Sequence, residues 1–390
     1  MPSVLLSAAR TPVGSFGGAL ATVPAPQLGA TAIRAALERA AVAPEQVDEV
    51  VMGCVVAAGV GQAPARQASL GAGIPDSVPC LTVNKVCGSG MKAVLLADQM
   101  IRAGDANVVV AGGMENMSMA PFLLEKARYG YGYGNGTLID ALFHDGLRDA
   151  YDGSAMGVAA DLCADTCGVP REAQDAFTVE SYTRAQRSVN EGTFDAEVAP
   201  VTIAGKKGDT VVSKDEEPFK TNFDKIPSLR AVFTKEGTVT AANASSINDG
   251  AAALVVADEA WAAANGKSVL ARIVATAQNA QKPVEFTTAP IGAINKVLEK
   301  AGLTLDDIDL FEINEAFSVV ALAAQDALGI PHEKLNVNGG AVALGHPIGA
   351  SGARILTTLV HAMQARGARR GLAAICIGGG EATAIIVERD

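Results

Sequence analysis

Two cysteines and one histidine of this 390-residue chain lie in glycine-rich segments. The segments are residues 83–90 with Cys87, residues 345–352 with His346, and residues 376–380 with Cys376. Thiol and imidazole groups act as nucleophile and base, and glycine lets backbone amides approach a substrate closely. The three segments therefore predict nucleophilic catalysis carried by loops.

Each candidate has a local context that favours chemistry. Cys87 precedes a helix predicted over residues 90–103, and the positive end of that helix is expected to stabilise a thiolate. His346 lies between a glycine and a proline, which excludes regular structure there. Cys376 follows a short buried strand, and the amides of the glycines after it could form an oxyanion pocket. A tight turn is the alternative role for that glycine run. A nucleotide-phosphate loop is excluded because no Lys-Ser pair follows the glycines.

The other four cysteines are predicted to be structural, because free cysteine usually behaves as a small buried hydrophobe. Cys54 and Cys80 carry no further signal. Cys163 and Cys167 lie one helical turn apart, but no second Cys or His pair completes a metal site, so helix packing is favoured.

Composition excludes several classes of function. The chain is 49% hydrophobic and 19% charged, and its length predicts two or three domains with large buried cores. A net charge of -11 disfavours nucleic-acid binding, although a local basic patch could still hold a small anion. No apolar run is long enough to span a bilayer, so no membrane partner is expected. Six irregularly spaced cysteines favour a reducing compartment, and we expect a cytoplasmic protein.

The chain alternates between predicted strands and helices, which indicates an α/β fold with sheets covered on both faces. Strands are predicted at residues 4–7, 50–52, 108–111, 253–256, 273–277, 310–313 and 384–387, and helices at 28–41, 90–103 and 175–191. Between residues 121 and 240 glycine, tyrosine and charge become dense, which predicts an inserted, more exposed subdomain. A weak internal echo links residues 87–115 with residues 350–381, since each has a small-residue run, a helix and a strand that ends in glycines.

Together these motifs resemble the thiolases over the whole chain. The matching segments are residues 84–92, 112–118, 243–252, 314–317, 338–352 and 376–380. The resemblance implies two similar αβα halves in a five-layered αβαβα core: residues 1–120, completed by about 245–268, and residues 269–390. Residues 121–244 would be an inserted loop domain for tetramerisation and coenzyme A binding. The chain is most similar to short-chain acetoacetyl-CoA thiolases of the mitochondrial type and their plant relatives.

The resemblance implies a ping-pong reaction that joins two acetyl-CoA into acetoacetyl-CoA and CoA. Cys87 would carry the acyl group, His346 would take the thiol proton, and Cys376 would move the α-proton of the second substrate. One oxyanion hole would combine His346 with a water held by Asn314, and the other would use the amides of Cys87 and Gly378. CoA thioesters would be substrates, with no tightly bound cofactor.

The resemblance also implies the surroundings of the substrate. The pantetheine tunnel would be lined by Leu147, Met156, Phe233, Ser245, Ala316 and Phe317, with Phe286 in the acyl pocket. The coenzyme phosphates need cations, and Lys206, Lys207, Lys220 and Lys225 stay open as candidates. Ala155 stands where relatives usually carry histidine, and Phe286 where many bacterial members carry methionine, which leaves use of 2-methylacetoacetyl-CoA as a hypothesis.

Two further features follow from the resemblance. A potassium ion would be held near Tyr182, Ala241, Ala242, Ala244 and Val342, with a buried helical tyrosine as the alternative. Residues 129–140 resemble a tetramerisation loop, so a homotetramer is expected. A 3-ketoacyl-CoA thiolase of broader chain length is the alternative activity, and a non-catalytic or lipid-carrier homologue is a third class. A ketoacyl synthase is disfavoured because it lacks the second thiol.

Overall fold

The computed structural model describes residues 2–390. Its strands are β1 (Ser3–Arg10), β2 (Gly14–Ser15), β3 (Glu49–Gly53), β4 (Cys80–Val83), β5 (Val108–Asn116), β6 (Phe122–Leu124), β7 (Leu138–Asp140), β8 (Val201–Ile203), β9 (Thr210–Val212), β10 (Asn248–Asp258), β11 (Ala271–Ala280), β12 (Leu310–Ile313), β13 (Arg370–Ile377) and β14 (Glu381–Glu388). Its α-helices are α1 (Ala25–Ala40), α2 (Pro64–Gly71), α3 (Ser89–Ala103), α4 (Met156–Cys167), α5 (Arg171–Asn190), α6 (Glu259–Ala264), α7 (Ala289–Ala301), α8 (Ser318–Leu328), α9 (Ala341–Leu344) and α10 (Ile348–Arg366).

Ten of the strands form one mixed sheet. Nine follow the order β12-β13-β14-β11-β1-β10-β5-β3-β4, and β2 pairs with β10. The N-terminal set ends at β1 and the C-terminal set begins at β11, and these two strands join through the pairs Val4–Arg272 and Leu5–Ala271. The two predicted sheets are thus connected edge to edge.

Three hydrophobic cores define the layers. The central core packs α3 and α10 between strands of both sets, including β3 and β5 on one side and β13 and β14 on the other. A second core packs α1 and α2 on the outer face of the N-terminal strands. A third packs α7 and α8 on the outer face of the C-terminal strands. The layers run helix, sheet, helix, sheet, helix, which confirms the predicted five-layered α/β fold.

The central helices of the two halves, α3 and α10, touch through glycine. A Cβ on Gly90 of α3 would lie 2.9 Å from the backbone N of Ala353, and a Cβ on Gly352 of α10 would lie 2.5 Å from the N of Met91. Both clashes involve backbone atoms, so neither helix could move aside cheaply. These two glycines therefore allow close helix packing rather than an approach to substrate.

The predicted elements are found, with shifted ends. All seven predicted strands lie within observed ones, but β5 continues through Gly112 and Gly113 to Asn116, so the glycines do not end it. The third predicted helix begins at Arg171 instead of Asp175, directly after Pro170, whose fixed φ suits the residue before a helix.

The segment between the halves has little regular structure of its own. It contains the hairpins β6–β7 and β8–β9 and the helices α4 and α5. Arg10 of β1 holds it in place: the buried guanidinium donates to Asp215 at 2.7 and 3.0 Å and to Glu197 at 2.5 Å. Among residues 2–390, no helix has both the length and the hydropathy needed to cross a membrane.

Candidate active site

A cavity of about 530 Å³ opens between the loops that follow β4, β5, β12 and β13 and the inserted segment. Its wall includes most of the side chains predicted for the site. These are Cys87, Leu147, Met156, Phe233, Ala241, Ala244, Ser245, Phe286, Ala316, Phe317, His346 and Gly378. The wall is largely apolar, with few polar groups, as expected of a site that holds a flexible organic ligand.

Cys87 lies in the loop from β4 to α3, and the residue before it has a strained backbone. Val86 has a φ of 44°, which is rare for a β-branched residue and typical of functional loops. Asn84 Oδ1 accepts from the Val86 amide at 3.0 Å, and Ser89 Oγ donates to the Val86 carbonyl at 2.6 Å. Gly88 lets this loop reach the end of β13, because a Cβ there would lie 2.4 Å from Ile377 Cδ1.

The resting state of Cys87 is a thiol. Burial raises the pKa of Cys87 to about 11, although the amides of Gly378 and of Cys87 itself hydrogen-bond to its sulfur and lower it. The expectation that the start of α3 stabilises a thiolate was therefore wrong, because desolvation outweighs the local amides. Cys87 needs a base.

His346 provides one, in the turn between α9 and α10. Its backbone amide donates to Asn248 Oδ1 at 2.9 Å, and its Nδ1 lies 2.6 Å from Ser351 Oγ. Its Nε2 has no partner within residues 2–390, and the ring lines the cavity. Burial lowers the pKa of His346 to about 3, with a further contribution from Arg354, so the imidazole is neutral at rest.

Cys376 lies on β13 and is completely buried, behind the cavity wall rather than in it. Burial, and then the nearby Cys87 thiol, raise the pKa of Cys376 well above that of an ordinary cysteine. Gly378 follows, in the turn to β14, and a Cβ there would touch Met156 Sδ at 3.4 Å. The structure therefore brings the two thiols and the Gly378 amide together.

Asn314, directly after β12, is also buried behind the wall. Its backbone amide donates to the Ala374 carbonyl at 3.0 Å, which fixes it beside β13. Neither atom of its side-chain amide has a hydrogen-bond partner among residues 2–390. Buried amides are rarely left unsatisfied, so this side chain is suited to hold a water or a substrate atom.

Sequence reasoning missed the residue that supports these loops. Glu115, at the end of β5, is fully buried and accepts from the amides of Val55 at 3.0 Å, Val56 at 3.1 Å and Gly349 at 2.9 Å. It therefore ties the start of α10 to the loop after β3. Burial raises the pKa of Glu115 to about 7 against the opposing effect of these amides. The only sequence signal was its place in the segment 112–118.

The predicted pantetheine residues form one side of the cavity. Phe233 packs on Gly157 and meets Phe317 edge to face, with ring centroids 6.1 Å apart. Ser245 donates its hydroxyl to the Ala316 carbonyl at 2.8 Å, so its oxygen remains free only to accept. Of the four candidate lysines, Lys220 alone lines the cavity, where it contacts Ser15 Oγ.

The predicted potassium residues differ in their surroundings. Tyr182 and Val342 are buried in one hydrophobic cluster, and the Tyr182 hydroxyl bonds Thr221. Ala241 and Ala244 line the cavity, whereas Ala242 is buried. The carbonyl oxygens of Ala241 and Ala242 accept no hydrogen bond from any residue that the structure describes.

The other four cysteines, which were predicted to be structural, are not all buried. Cys54 and Cys163 are buried, but Cys80 is partly exposed and Cys167, at the end of α4, is exposed. No cluster of three or more His, Cys, Asp or Glu side chains suited to a metal occurs in residues 2–390.

Comparison with known proteins identifies the family of the chain. The family model described as "Thiolase, N-terminal domain" matches residues 3–260, and "Thiolase, C-terminal domain" matches residues 267–389. A probable acetyl-CoA acetyltransferase of Dictyostelium discoideum is 52% identical over 387 residues, covering 99% of this chain and 94% of the relative. The acetyl-CoA acetyltransferase of Escherichia coli (strain K12) is 52% identical over 388 residues, covering 99% and 98%. That of Schizosaccharomyces pombe is 51% identical over 387 residues, covering 99% and 98%. This chain belongs to the thiolase family.

Proposed function

We propose that this chain is an acetyl-CoA C-acetyltransferase, which reversibly condenses two acetyl-CoA into acetoacetyl-CoA and CoA. The observation that carries the proposal is the meeting of three groups at one cavity. The Gly378 amide lies near enough to the Cys87 sulfur to lower its pKa, the unpaired Nε2 of His346 lines the same wall, and the Cys376 thiol lies behind the wall, near enough for Cys87 to raise its pKa. The names of relatives at about half identity support the same activity.

In the first half-reaction, His346 Nε2 takes the Cys87 proton and the sulfur attacks the thioester carbonyl. A carbon–sulfur bond forms to Cys87, and the bond to coenzyme A breaks. The departing coenzyme A thiolate takes a proton from Cys376. The acyl-enzyme is then accompanied by protonated His346 and a Cys376 thiolate. This sequence explains how a thiol with a strongly raised pKa becomes a base only after the first step.

In the second half-reaction, the Cys376 thiolate removes an α-proton from another acetyl-CoA. The resulting carbanion attacks the acetyl group on Cys87, so a carbon–carbon bond forms and the Cys87 thiolate departs. It recovers its proton from His346, and the enzyme returns to its resting state. Thiolysis of acetoacetyl-CoA follows the same steps in reverse.

Two sets of donors would stabilise the negative oxygen of these steps. The amides of Cys87 and Gly378 lie close enough to the Cys87 thiol to lower its pKa. Asn314, with its unsatisfied amide, would hold a water that acts with protonated His346 on the second substrate. Removing one such donor typically costs about 3 kcal/mol in barrier.

Thiolysis of acetoacetyl-CoA by the purified protein tests the proposal. The wild-type chain should cleave it with ping-pong kinetics, and Cys87→Ser should abolish turnover. Mass spectrometry of wild type treated with acetyl-CoA should show one acetyl group on Cys87. No turnover in either direction, or acetylation elsewhere, would overturn the assignment.

A broader acyl specificity is supported by Ala155, which lines the cavity without filling it. Phe286, buried in a turn before α7, forms another part of the wall. The small Ala155 side chain leaves room for a longer or 2-methylated acyl group. Thiolysis measured across acyl lengths and with 2-methylacetoacetyl-CoA tests this, with Ala155→His expected to narrow the range. If Ala155→His cleaves the same range of acyl groups as the wild type, residue 155 does not determine acyl specificity.

A potassium ion near the coenzyme loop is supported by the free carbonyls of Ala241 and Ala242, since potassium prefers oxygen ligands. The resemblance implies that Val342 and Tyr182 would complete the site. Activity in potassium chloride should exceed activity in sodium chloride at equal ionic strength. Equal rates would remove the proposal.

A homotetramer is supported by the exposed apolar hairpin β6–β7, which presents Phe122, Tyr129, Tyr133 and Leu138 to solvent in the isolated chain. Light scattering should give a tetramer for the wild type and a smaller species for the double variant Phe122→Ser, Leu138→Ser. Val211→Ser, which alters an exposed apolar residue of β9, is the control.

Six free cysteines support a reducing compartment such as the cytoplasm.

A further inference from the structure

Ser351, in the first turn of α10, makes two contacts with its hydroxyl. Ser351 Oγ lies 2.6 Å from His346 Nδ1 and 2.9 Å from the carbonyl oxygen of Pro347. Both residues are buried, so water does not compete for these contacts. The hydroxyl therefore decides where the protons of the imidazole lie.

The proton count at Ser351 favours one arrangement. The Pro347 carbonyl can only accept, so the 2.9 Å contact is a hydrogen bond only if Ser351 donates its single proton there. The oxygen of Ser351 must then accept from His346, which places a hydrogen on Nδ1. The opposite arrangement would leave two acceptor oxygens 2.9 Å apart with no proton between them.

A hydrogen on Nδ1 leaves the lone pair of the neutral ring on Nε2. That nitrogen lacks a partner within residues 2–390 and belongs to the cavity wall. When Nε2 takes a proton, the bond from Nδ1 to Ser351 stays as it was. The same acceptor thus serves the neutral imidazole and the imidazolium.

We propose that Ser351 is a positioning residue that selects the His346 tautomer with a free Nε2 and so makes His346 a base toward Cys87. The inference rests on the function proposed above, because it needs Cys87 and His346 in their assigned roles. Asn248 fixes the backbone of His346, and Ser351 fixes its ring, so the two restraints are separate.

Loss of the hydroxyl has a defined consequence. In Ser351→Ala the buried Nδ1 hydrogen loses its acceptor, which shifts the tautomer ratio toward the form with hydrogen on Nε2. That form cannot accept the Cys87 proton. An unsatisfied buried donor changes such an equilibrium by about 10- to 100-fold, so the acetylation rate of Cys87 at neutral pH should fall by about that factor.

The test is the rate of Cys87 alkylation by iodoacetamide and of acetylation by acetyl-CoA, each measured from pH 6 to pH 10. Ser351→Ala should react slowly at neutral pH and approach the wild-type alkylation rate at high pH, where hydroxide replaces the base. Ser351→Thr retains the hydroxyl and should restore neutral-pH reactivity. Thr357→Val is the matched control, since Thr357 Oγ1 makes the same kind of bond to the Ala353 carbonyl at 2.9 Å without touching histidine.

The outcomes separate this inference from the function on which it rests. If wild type shows no acyl transfer, the proposed function fails. If wild type is active and His346→Asn is inactive, but Ser351→Ala keeps the wild-type rates and pH profile, the tautomer role alone is overturned. A uniform loss at every pH in Ser351→Ala, or an equal loss in Thr357→Val, would also overturn it, because either result reports general damage to α10.

Discussion

Gly88 lies directly against Ile377, so that the loop carrying one thiol contacts the strand carrying the other. A Cβ at position 88 would stand 2.4 Å from Ile377 Cδ1, well inside van der Waals contact. The contact sets the spacing between the Cys87 loop and the end of β13. It also shows that one glycine beside the nucleophile has a steric reason to be there.

Gly88→Ala should lower kcat by about 10- to 100-fold, because displacing a nucleophile by a fraction of an ångström is costly. Ile377→Ala removes both atoms that the new methyl group meets, Cδ1 at 2.4 Å and Cγ1 at 2.8 Å, so the double variant should recover much of the lost activity. Gly132→Ala, with no atom near its Cβ, is the control for the substitution itself. Equal activity in the single and double variants would show that the Gly88–Ile377 contact does not position Cys87.

The sequence was most informative where a property is local. The strands are short apolar runs between helices, and they were found because burial on both faces leaves a continuous hydrophobic signal. Cys87, His346 and Cys376 were identified from residue type and adjoining glycines. The extension of β5 through Gly112 and Gly113 was missed, because those glycines are required by neighbours far along the chain: their Cβ atoms would lie 2.1 Å from Ala252 O and 2.0 Å from Gly349 O.

The support of the site was not predictable for the same reason. Glu115 acts on Gly349, which lies 234 residues away in sequence. The helix-terminus argument for a Cys87 thiolate was local, and it omitted the burial that the assembled fold imposes. The pKa of a buried group depends on every layer that covers it, so the direction of the Cys87 pKa shift could not be inferred from one helix end.

Glu115 should make stability depend on pH. Its pKa is about 7 in the folded chain and near ~4.3 in an unfolded one, so folding disfavours its ionisation. Its contribution to the free energy of unfolding is fully present below pH ~4.3 and is lost as the pH rises through about 7. The loss amounts to roughly 4 kcal/mol at most.

Glu115→Gln removes this titration and one acceptor for the amides of Val55, Val56 and Gly349. The stability of wild type relative to Glu115→Gln, followed by thermal melting, should therefore decline between pH 5 and pH 8. Asp209→Asn, at an exposed hairpin position, should show no such trend. A constant difference across that range would mean that Glu115 keeps one charge state throughout.

Asp215→Ala should destabilise the fold strongly. Arg10 is completely buried, and two of its guanidinium nitrogens donate to Asp215. Removing Asp215 leaves the buried Arg10 with Glu197 as its remaining carboxylate partner, and breaking a buried ion pair in this way costs about 3 kcal/mol. Chemical denaturation should show this loss, together with release of the inserted segment to proteolysis. Asp209→Ala is the exposed control, and a comparably small change in both variants would contradict the anchoring role.

Cys376→Ser should separate the two half-reactions. Acetyl transfer to Cys87 and back to labelled coenzyme A needs only a leaving-group proton, which a hydroxyl or water can supply, so exchange should persist at a reduced rate. Removal of the α-proton needs a thiolate, and a serine hydroxyl is far too weak an acid to become an equivalent base. Acetoacetyl-CoA formation should therefore fall far more than exchange does.

Cys163→Ser is the control and should retain both activities. It alters a buried thiol of α4 that lies close enough to raise the pKa of Cys376 slightly. Parallel loss of exchange and condensation in Cys376→Ser would place Cys376 in the support of Cys87 instead of in proton transfer.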